Sequence, residues 1–89
     1  MDLDALLEYY FGGDPDALSP AARELADGKL AMDFGVEQEP GRKFALWALM
    51  DALGFAPFPA DAFPKHPRLR AAADAYLTAA YQLERDSGE

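Results

Sequence analysis

Residues able to carry out acid–base or nucleophilic chemistry are few in this chain of 89 residues. His66 is its sole histidine, serine occurs only at Ser19 and Ser87, and the chain has no cysteine. A Ser–His–Asp arrangement would require one of the two serines to be held beside His66. Because Ser19 is expected to cap a helix and Ser87 lies in a polar tail, we predict that the protein is not an enzyme and has no catalytic residue.

Acidic residues are numerous, but their spacing does not match a known metal-binding loop. The stretch DPDALS at 14–19 invites comparison with an EF-hand loop, whose sixth position is glycine and whose twelfth is normally glutamate. Counted from Asp14, those positions are Ser19 and Leu25, so the match fails. A lone histidine cannot hold zinc unless several acids converge on it. We therefore predict no metal and no cofactor.

Asp51 is the acid that interrupts an otherwise apolar stretch, and it lies one turn after Trp47 and two turns after Phe44. One interpretation, which we favour, makes it the solvent edge of that helix face. A second interpretation pairs it with a nearby base. A third makes it a catalytic or ligand-binding carboxylate, which would require burial that raises its pKa.

The net charge of −8 is concentrated in the first half of the chain. Residues 1–39 carry ten acids and two bases, which gives −8, and residues 40–89 carry six of each. This balance disfavours nucleic acid and anionic membranes as partners, since both require clustered Lys and Arg. One small candidate basic cluster exists: Arg42, Lys43, Lys65, His66, Arg68 and Arg70. It either binds an anionic partner, weak nucleic-acid binding included, or balances the acidic half, which is the interpretation we favour.

Helical periodicity predicts four helices that must position these residues. Each is introduced by a capping residue or a proline, and Gly54 is expected to end the third helix. Valine and isoleucine, which favour strands, occur once between them, as Val36. The predicted helices are 3–11, 20–34, 40–53 and 67–85. We therefore predict an all-α fold, a small compact bundle of about four helices in a single domain of residues 1–89, with the tail 86–89 disordered.

The second predicted helix allows two interpretations. Leu30 and Phe34 lie nearly opposite a second apolar stripe, which consists of Ala21, Leu25, Gly28 and Met32. Either the helix is continuous and makes two apolar contacts, or it breaks at Asp27–Gly28 and restarts. A glycine inside a helix costs about 1 kcal/mol relative to alanine. In a continuous helix, Gly28 would mark the close approach of another backbone.

The segment GFAPFPADAFPKHP, residues 54–67, holds four prolines and three phenylalanines and leads into the last helix. Its X-Pro steps favour extended backbone, so we expect no helix over the segment as a whole. Phe55, Phe58 and Phe63 would be costly to leave in water, which favours a packed connector whose rings cover the aromatic face of the third helix. A partner-docking loop with PxxP spacing and a reactive site are the other interpretations.

These observations favour a small, non-enzymatic protein–protein interaction or regulatory module, with homodimerisation as its simplest form. The expected partner is another protein or a second copy. The candidate interaction surface consists of Phe44, Trp47, Asp51, Phe55, Phe58 and Phe63. The alternative is a small-molecule-binding or enzymatic cleft near helix 40–53 and loop 54–67. The acidic start of the chain and the shortness of its longest apolar run, 44–50, favour a cytoplasmic protein without a membrane segment.

Overall fold

The computed structural model describes residues 3–87, with side chains described from 3 to 79. Within that part of the chain the structure contains no strand and five α-helices. They are α1 (Leu3–Phe11), α2 (Pro20–Val36), α3 (Pro40–Ala52), α4 (Pro59–Ala62) and α5 (Pro67–Ser87), and a 3₁₀ turn, Pro15–Ala17, lies between α1 and α2. The prediction of a small all-α fold is therefore confirmed.

The four predicted helices all occur, and their ends differ from the predicted ends by no more than two residues. Helix α5 continues to Ser87, so the first half of the tail 86–89, predicted as disordered, belongs to the helix, and residues 88–89 lie outside the described residues. Helix α4 is an addition to the prediction. The carbonyl oxygen of Phe58 accepts hydrogen bonds from Asp61 N at 2.9 Å and Ala62 N at 2.8 Å, which closes one helical turn inside the 54–67 segment.

Capping interactions set the ends of the helices, as the sequence predicts. Ser19 Oγ accepts a hydrogen bond from Ala22 N at 3.2 Å and so caps the start of α2. Gly54 follows α3 with a φ of +88°, in the left-handed region that only glycine adopts without strain. Its N–H donates to Asp51 O at 3.0 Å, which satisfies one of the last carbonyl groups of α3.

The chain divides into two compact units, and the first, Met1–Ala56, contains α1, α2 and α3. These three helices pack pairwise against one another. Each contributes large buried side chains, namely Leu6, Phe11, Leu30, Phe34, Leu46 and Leu49. Five consecutive residues from Leu46 to Met50 are buried, so this part of α3 is buried around its whole circumference.

Helix α2 runs without a break from Pro20 to Val36, so the continuous interpretation is the one that the structure adopts. The side of α2 that carries Leu30 and Phe34 is buried. The opposite stripe, which includes Ala21 and Gly28, is exposed. Helix α2 therefore has two apolar faces, of which only one is buried.

The second unit, Pro57–Glu89, contains α4 and α5, which pack against each other. Its buried described residues are Pro59, Ala62, Phe63 and Ala73. The single domain of residues 1–89 stays a prediction, because a division into compact units does not by itself separate domains. No described helix combines the length and the apolarity that crossing a bilayer requires.

Candidate functional site

Phe44 and Trp47, expected on the interaction surface, contact each other on α3 with their ring centroids 5.6 Å apart. Trp47 is 0% exposed and Phe44 is half-buried. A partner cannot reach Trp47 in this conformation, so Trp47 is a core residue and not a surface anchor, contrary to the sequence-based assignment. Asp51, expected at the solvent edge of this face, is half-buried.

The three phenylalanines of the 54–67 segment lie in three different environments. Phe63 is fully buried, Phe55 is half-buried and Phe58 is 77% exposed. Phe58 is therefore the most accessible of the three to a partner, while Phe63 belongs to the hydrophobic core. That the rings of this segment cover the aromatic face of α3 stays a prediction.

Two members of the candidate basic cluster, Arg42 and Lys43, make contacts within the first unit. Arg42 Nε lies 2.8 Å from Glu37 Oε1 in an ion pair. Lys43 Nζ donates to the carbonyl oxygen of Phe34 at 2.8 Å and lies 4.1 Å from the centroid of the Phe34 ring. These two cations thus connect the start of α3 to residues at and just beyond the end of α2. Arg42 fits the interpretation in which bases balance the acidic half.

The other four members lie in the second unit, around the start of α5, and are all exposed: Lys65, His66, Arg68 and Arg70. Among the described residues none of the four forms an ion pair. His66 directly precedes Pro67, and its carbonyl oxygen accepts a hydrogen bond from Arg70 N at 2.9 Å. The joining of all six bases into one patch stays a prediction.

A polar cluster that the sequence analysis did not anticipate links α1 to α2. Tyr10 Oη donates to Asp33 Oδ2 at 2.7 Å. Lys29 Nζ donates to the same carboxylate oxygen at 3.3 Å and to Tyr9 Oη at 3.4 Å. The Lys29–Asp33 pair could be predicted from the sequence as an i, i+4 pair on a helix. The hydrogen bonds to the two tyrosines join residues about 20 positions apart, and helical periodicity does not reveal such contacts.

Three groups of this cluster, Tyr10, Asp33 and Lys29, have pKa values that shift away from neutrality. Burial and, secondarily, the hydrogen bond to Asp33 raise the pKa of Tyr10. The hydrogen bond from Tyr10 is the main reason that the pKa of Asp33 is lowered, and the hydrogen bond with Tyr9 is the main reason that the pKa of Lys29 is raised. At neutral pH the cluster therefore holds a neutral phenol, a carboxylate and an ammonium group, which suits a structural clamp better than proton transfer.

Three of the exposed large apolar side chains among the described residues lie on α2. Leu25 is 77% exposed, and Met32 and Val36 are each 69% exposed. Together with three small residues they form a stripe that spans about 100° of helix circumference. We name this stripe the α2 outer face, and it consists of Ala21, Leu25, Gly28, Met32, Gly35 and Val36.

The α2 outer face has a depression at its centre and a charged residue at each edge. Gly28 lacks a side chain between Leu25 and Met32, and these residues, with Ala21, line one open depression. Glu24 borders the stripe on one side and Lys29 borders it on the other. A partner on this face would meet apolar side chains first, with one acid and one base at the rim.

The described residues contain no group of three or more His, Cys, Asp or Glu side chains placed to hold a metal ion. Comparison with known proteins finds no family model, no curated protein and no solved structure that matches this chain. A function must therefore be argued from the chain's own surfaces.

Proposed function

We propose that the protein is a non-enzymatic protein–protein interaction module that binds a helix of its partner through the α2 outer face. The observation that carries this proposal is the exposure of Leu25, Met32 and Val36 on one side of a single helix. Single exposed apolar side chains are ordinary on a protein surface, but a contiguous apolar strip with charged edges is typical of an interaction site.

The hydrophobic effect supplies the driving force for binding at this face. Burying a Val, Leu or Met side chain that would otherwise be exposed contributes about 1.5–3 kcal/mol. Helix α2 already buries its other apolar side through Leu30 and Phe34, so the fold of the first unit does not depend on the outer face. Burial of the outer face would therefore stabilise the complex when a partner covers it.

The shape of the face favours a helix as the contacting element. From Ala21 to Gly35 the stripe extends about 21 Å along the axis, at about 1.5 Å per residue. Its width of about 100° is that of an apolar stripe that a helix normally buries against neighbouring elements. Apart from the two chain neighbours of Gly28 and the nearby helix backbone, no described atom lies within 4 Å of the point where a Cβ at Gly28 would sit. A second helix therefore has room to approach closely.

The test compares two substitutions that add the same charge at equally exposed apolar positions. Leu25 and Phe58 are both 77% exposed, on the first and second unit respectively. Leu25→Glu should abolish partner binding without lowering the free energy of unfolding, because exposed substitutions usually change it by less than about 0.5 kcal/mol. Phe58→Glu is the matched control and should bind as the unsubstituted chain does.

The assay is affinity purification of the tagged, full-length chain from nuclease-treated lysate of the source cell, followed by measurement of stoichiometry with the purified partner. A partner that is retained by Phe58→Glu and lost by Leu25→Glu supports the proposal. The reverse pattern would move the binding surface to the second unit. Equal binding by both variants and the unsubstituted chain would refute a role for either surface.

A further inference from the structure

We infer that the partner of the α2 outer face is a second copy of this chain, with the two α2 helices parallel and in register. This inference rests on the function proposed above and adds the identity of the partner. Three features support it: the charges at the rim of the face, the placement of its large and small residues, and the glycine at its centre.

The rim charges complement those of an identical helix. In a parallel, in-register pair, a residue on one edge of the seam lies opposite the residue about five positions later on the other helix. Glu24 and Lys29 have this spacing and lie on opposite edges. Each Glu24 would therefore face the Lys29 of the other copy, and the two-fold symmetry of the pair creates this contact twice.

Both side chains have the capacity for this contact. Among the described residues Glu24 forms no ion pair. The ammonium group of Lys29 has three N–H donors, of which two are directed to Tyr9 Oη and Asp33 Oδ2. A third donor remains for a carboxylate across the seam.

The same charges disfavour other occupants. An antiparallel pair would place Glu24 on the same edge as Glu24 of the other copy, and Lys29 on the same edge as Lys29. At the rim, a strongly basic partner would meet Lys29 and a strongly acidic one would meet Glu24. The rim carries one charge of each sign, which is the pattern that a second copy satisfies.

The order of large and small residues fits a parallel seam. The positions of Ala21, Leu25, Gly28, Met32 and Gly35 alternate in steps of four and three, the spacing of residues that face a partner helix in a coiled coil. In register, Leu25 and Met32 each meet their own counterparts in layers on either side of Gly28. The two backbones approach most closely at Gly28, which the sequence analysis expected to mark such an approach.

The glycine has no corresponding role within the chain itself. A glycine in the interior of a helix is about 1 kcal/mol less favourable than alanine, yet the space beside Gly28 is open. A second copy would occupy that space. Because the contacting strip is only about 21 Å long, the dimer should be weak and its population should depend on concentration.

The first experiment measures self-association of the full chain by sedimentation equilibrium, from roughly 1 µM to 1 mM at low and high salt. Glu24→Lys should weaken the dimer about tenfold at low salt and less at high salt, because it replaces two attractive pairs with two repulsive ones. Glu8→Lys is the matched control, since Glu8 is exposed on α1 and both variants change the net charge from −8 to −6. A Glu8→Lys effect as large as that of Glu24→Lys would refute the rim pairing.

The second experiment uses the absence of cysteine from the natural chain. Gly28→Cys places one thiol at the point where the two copies meet, so mild oxidation should yield a disulfide-linked dimer rapidly. Glu8→Cys should cross-link much more slowly at the same concentration. Equal rates for the two variants would overturn the in-register arrangement.

The outcomes separate this inference from the function on which it rests. A chain that stays monomeric throughout the concentration range, yet loses a different purified partner on Leu25→Glu, refutes the second copy and retains the interaction module. A dimer that survives Leu25→Glu refutes the α2 outer face for both. A monomer that binds nothing refutes the inference and the proposed function together.

Discussion

Replacing Tyr10 with phenylalanine removes one hydroxyl group and tests the contact between α1 and α2. Tyr10 Oη donates to Asp33 Oδ2 at 2.7 Å, a short bond from a neutral donor to a charged acceptor. The ring itself stays, so the substitution deletes the hydrogen bond with little change in packing. Tyr9→Phe is a close control, because Tyr9 is 66% exposed and its hydroxyl accepts a long hydrogen bond, 3.4 Å, from the Lys29 ammonium group.

The expected loss for Tyr10→Phe is about 1.5 kcal/mol of unfolding free energy. Hydrogen bonds to charged groups contribute about 1.5–3 kcal/mol, and a half-buried site belongs at the lower end of that range. For a chain of this size such a loss lowers the Tm by roughly 6–12 °C. Tyr9→Phe should lower the free energy of unfolding by less than about 0.5 kcal/mol, because water can replace its contact.

The loss should depend on pH in a defined direction. The pKa of Asp33 is lowered by the bond from Tyr10, so its contribution to stability is present above the ordinary value of 3.8 and is lost as the pH falls through the folded-state pKa. The pKa of Tyr10 is raised above 10.0, so its contribution is present below that value and is lost as the pH rises toward the folded-state pKa. The difference between the unsubstituted chain and Tyr10→Phe should therefore be largest between roughly pH 5 and pH 9.

Urea unfolding followed by tryptophan fluorescence measures this difference in the relevant unit. Trp47 is the only tryptophan, is fully buried and belongs to the same unit, Met1–Ala56, as Tyr10 and Asp33. Equal stability losses for Tyr10→Phe and Tyr9→Phe would refute the assignment of the clamp to Tyr10. A Tyr10→Phe loss that is the same at pH 3 and pH 7 would refute the role of the Asp33 charge.

Three further comparisons test the capping and burial that position the helices. Ser19→Ala should lower the free energy of unfolding, measured in urea, by about 1 kcal/mol, because Ala22 N loses its acceptor. Ser19→Asn should retain most of the stability, and equal losses for the two variants would contradict the cap. Phe63→Ala should lower the free energy of unfolding by about 3–5 kcal/mol, and Phe58→Ala should lower it by less than about 0.5 kcal/mol. Both are measured by Tm and urea unfolding, and similar losses would contradict the different burial of the two residues. Gly54→Ala should cost about 1–2 kcal/mol, because a Cβ strains the left-handed backbone at φ +88°, and an unchanged Tm would refute that conformation.

Helix positions were predictable because their signals are local. The serine and proline at 19 and 20 start α2, and Gly54 ends α3, in a way that depends only on the neighbouring backbone. The short helix α4 was not predictable in the same way. It consists of a single turn, Pro59–Ala62, inside a segment whose prolines favour extended backbone, so no periodic pattern is long enough to reveal it.

The choice of face on α2 depended on tertiary structure. Periodicity places Leu30 and Leu25 on opposite sides of the helix, but it treats both as apolar and cannot say which one α1 and α3 will bury. The structure buries Leu30 fully and leaves Leu25 77% exposed. The same limit applies to Phe58 and Phe63, which are identical residues five positions apart with opposite burial.

The contrast between Trp47 and Leu25 shows why residue type alone does not identify an exposed anchor. Tryptophan is the most favourable anchor of an interface, which is why the sequence favoured the face of α3 that carries it. An anchor must also be exposed before the partner arrives, and Trp47 is 0% exposed. Burial thus removes the best anchor by type. Among the large apolar side chains that stay exposed, Leu25, Met32 and Val36 share one face of a single helix. The fold leaves this apolar face exposed, with one charge of each sign at its edges. We propose that association covers it, and an identical α2 helix would supply a complementary face.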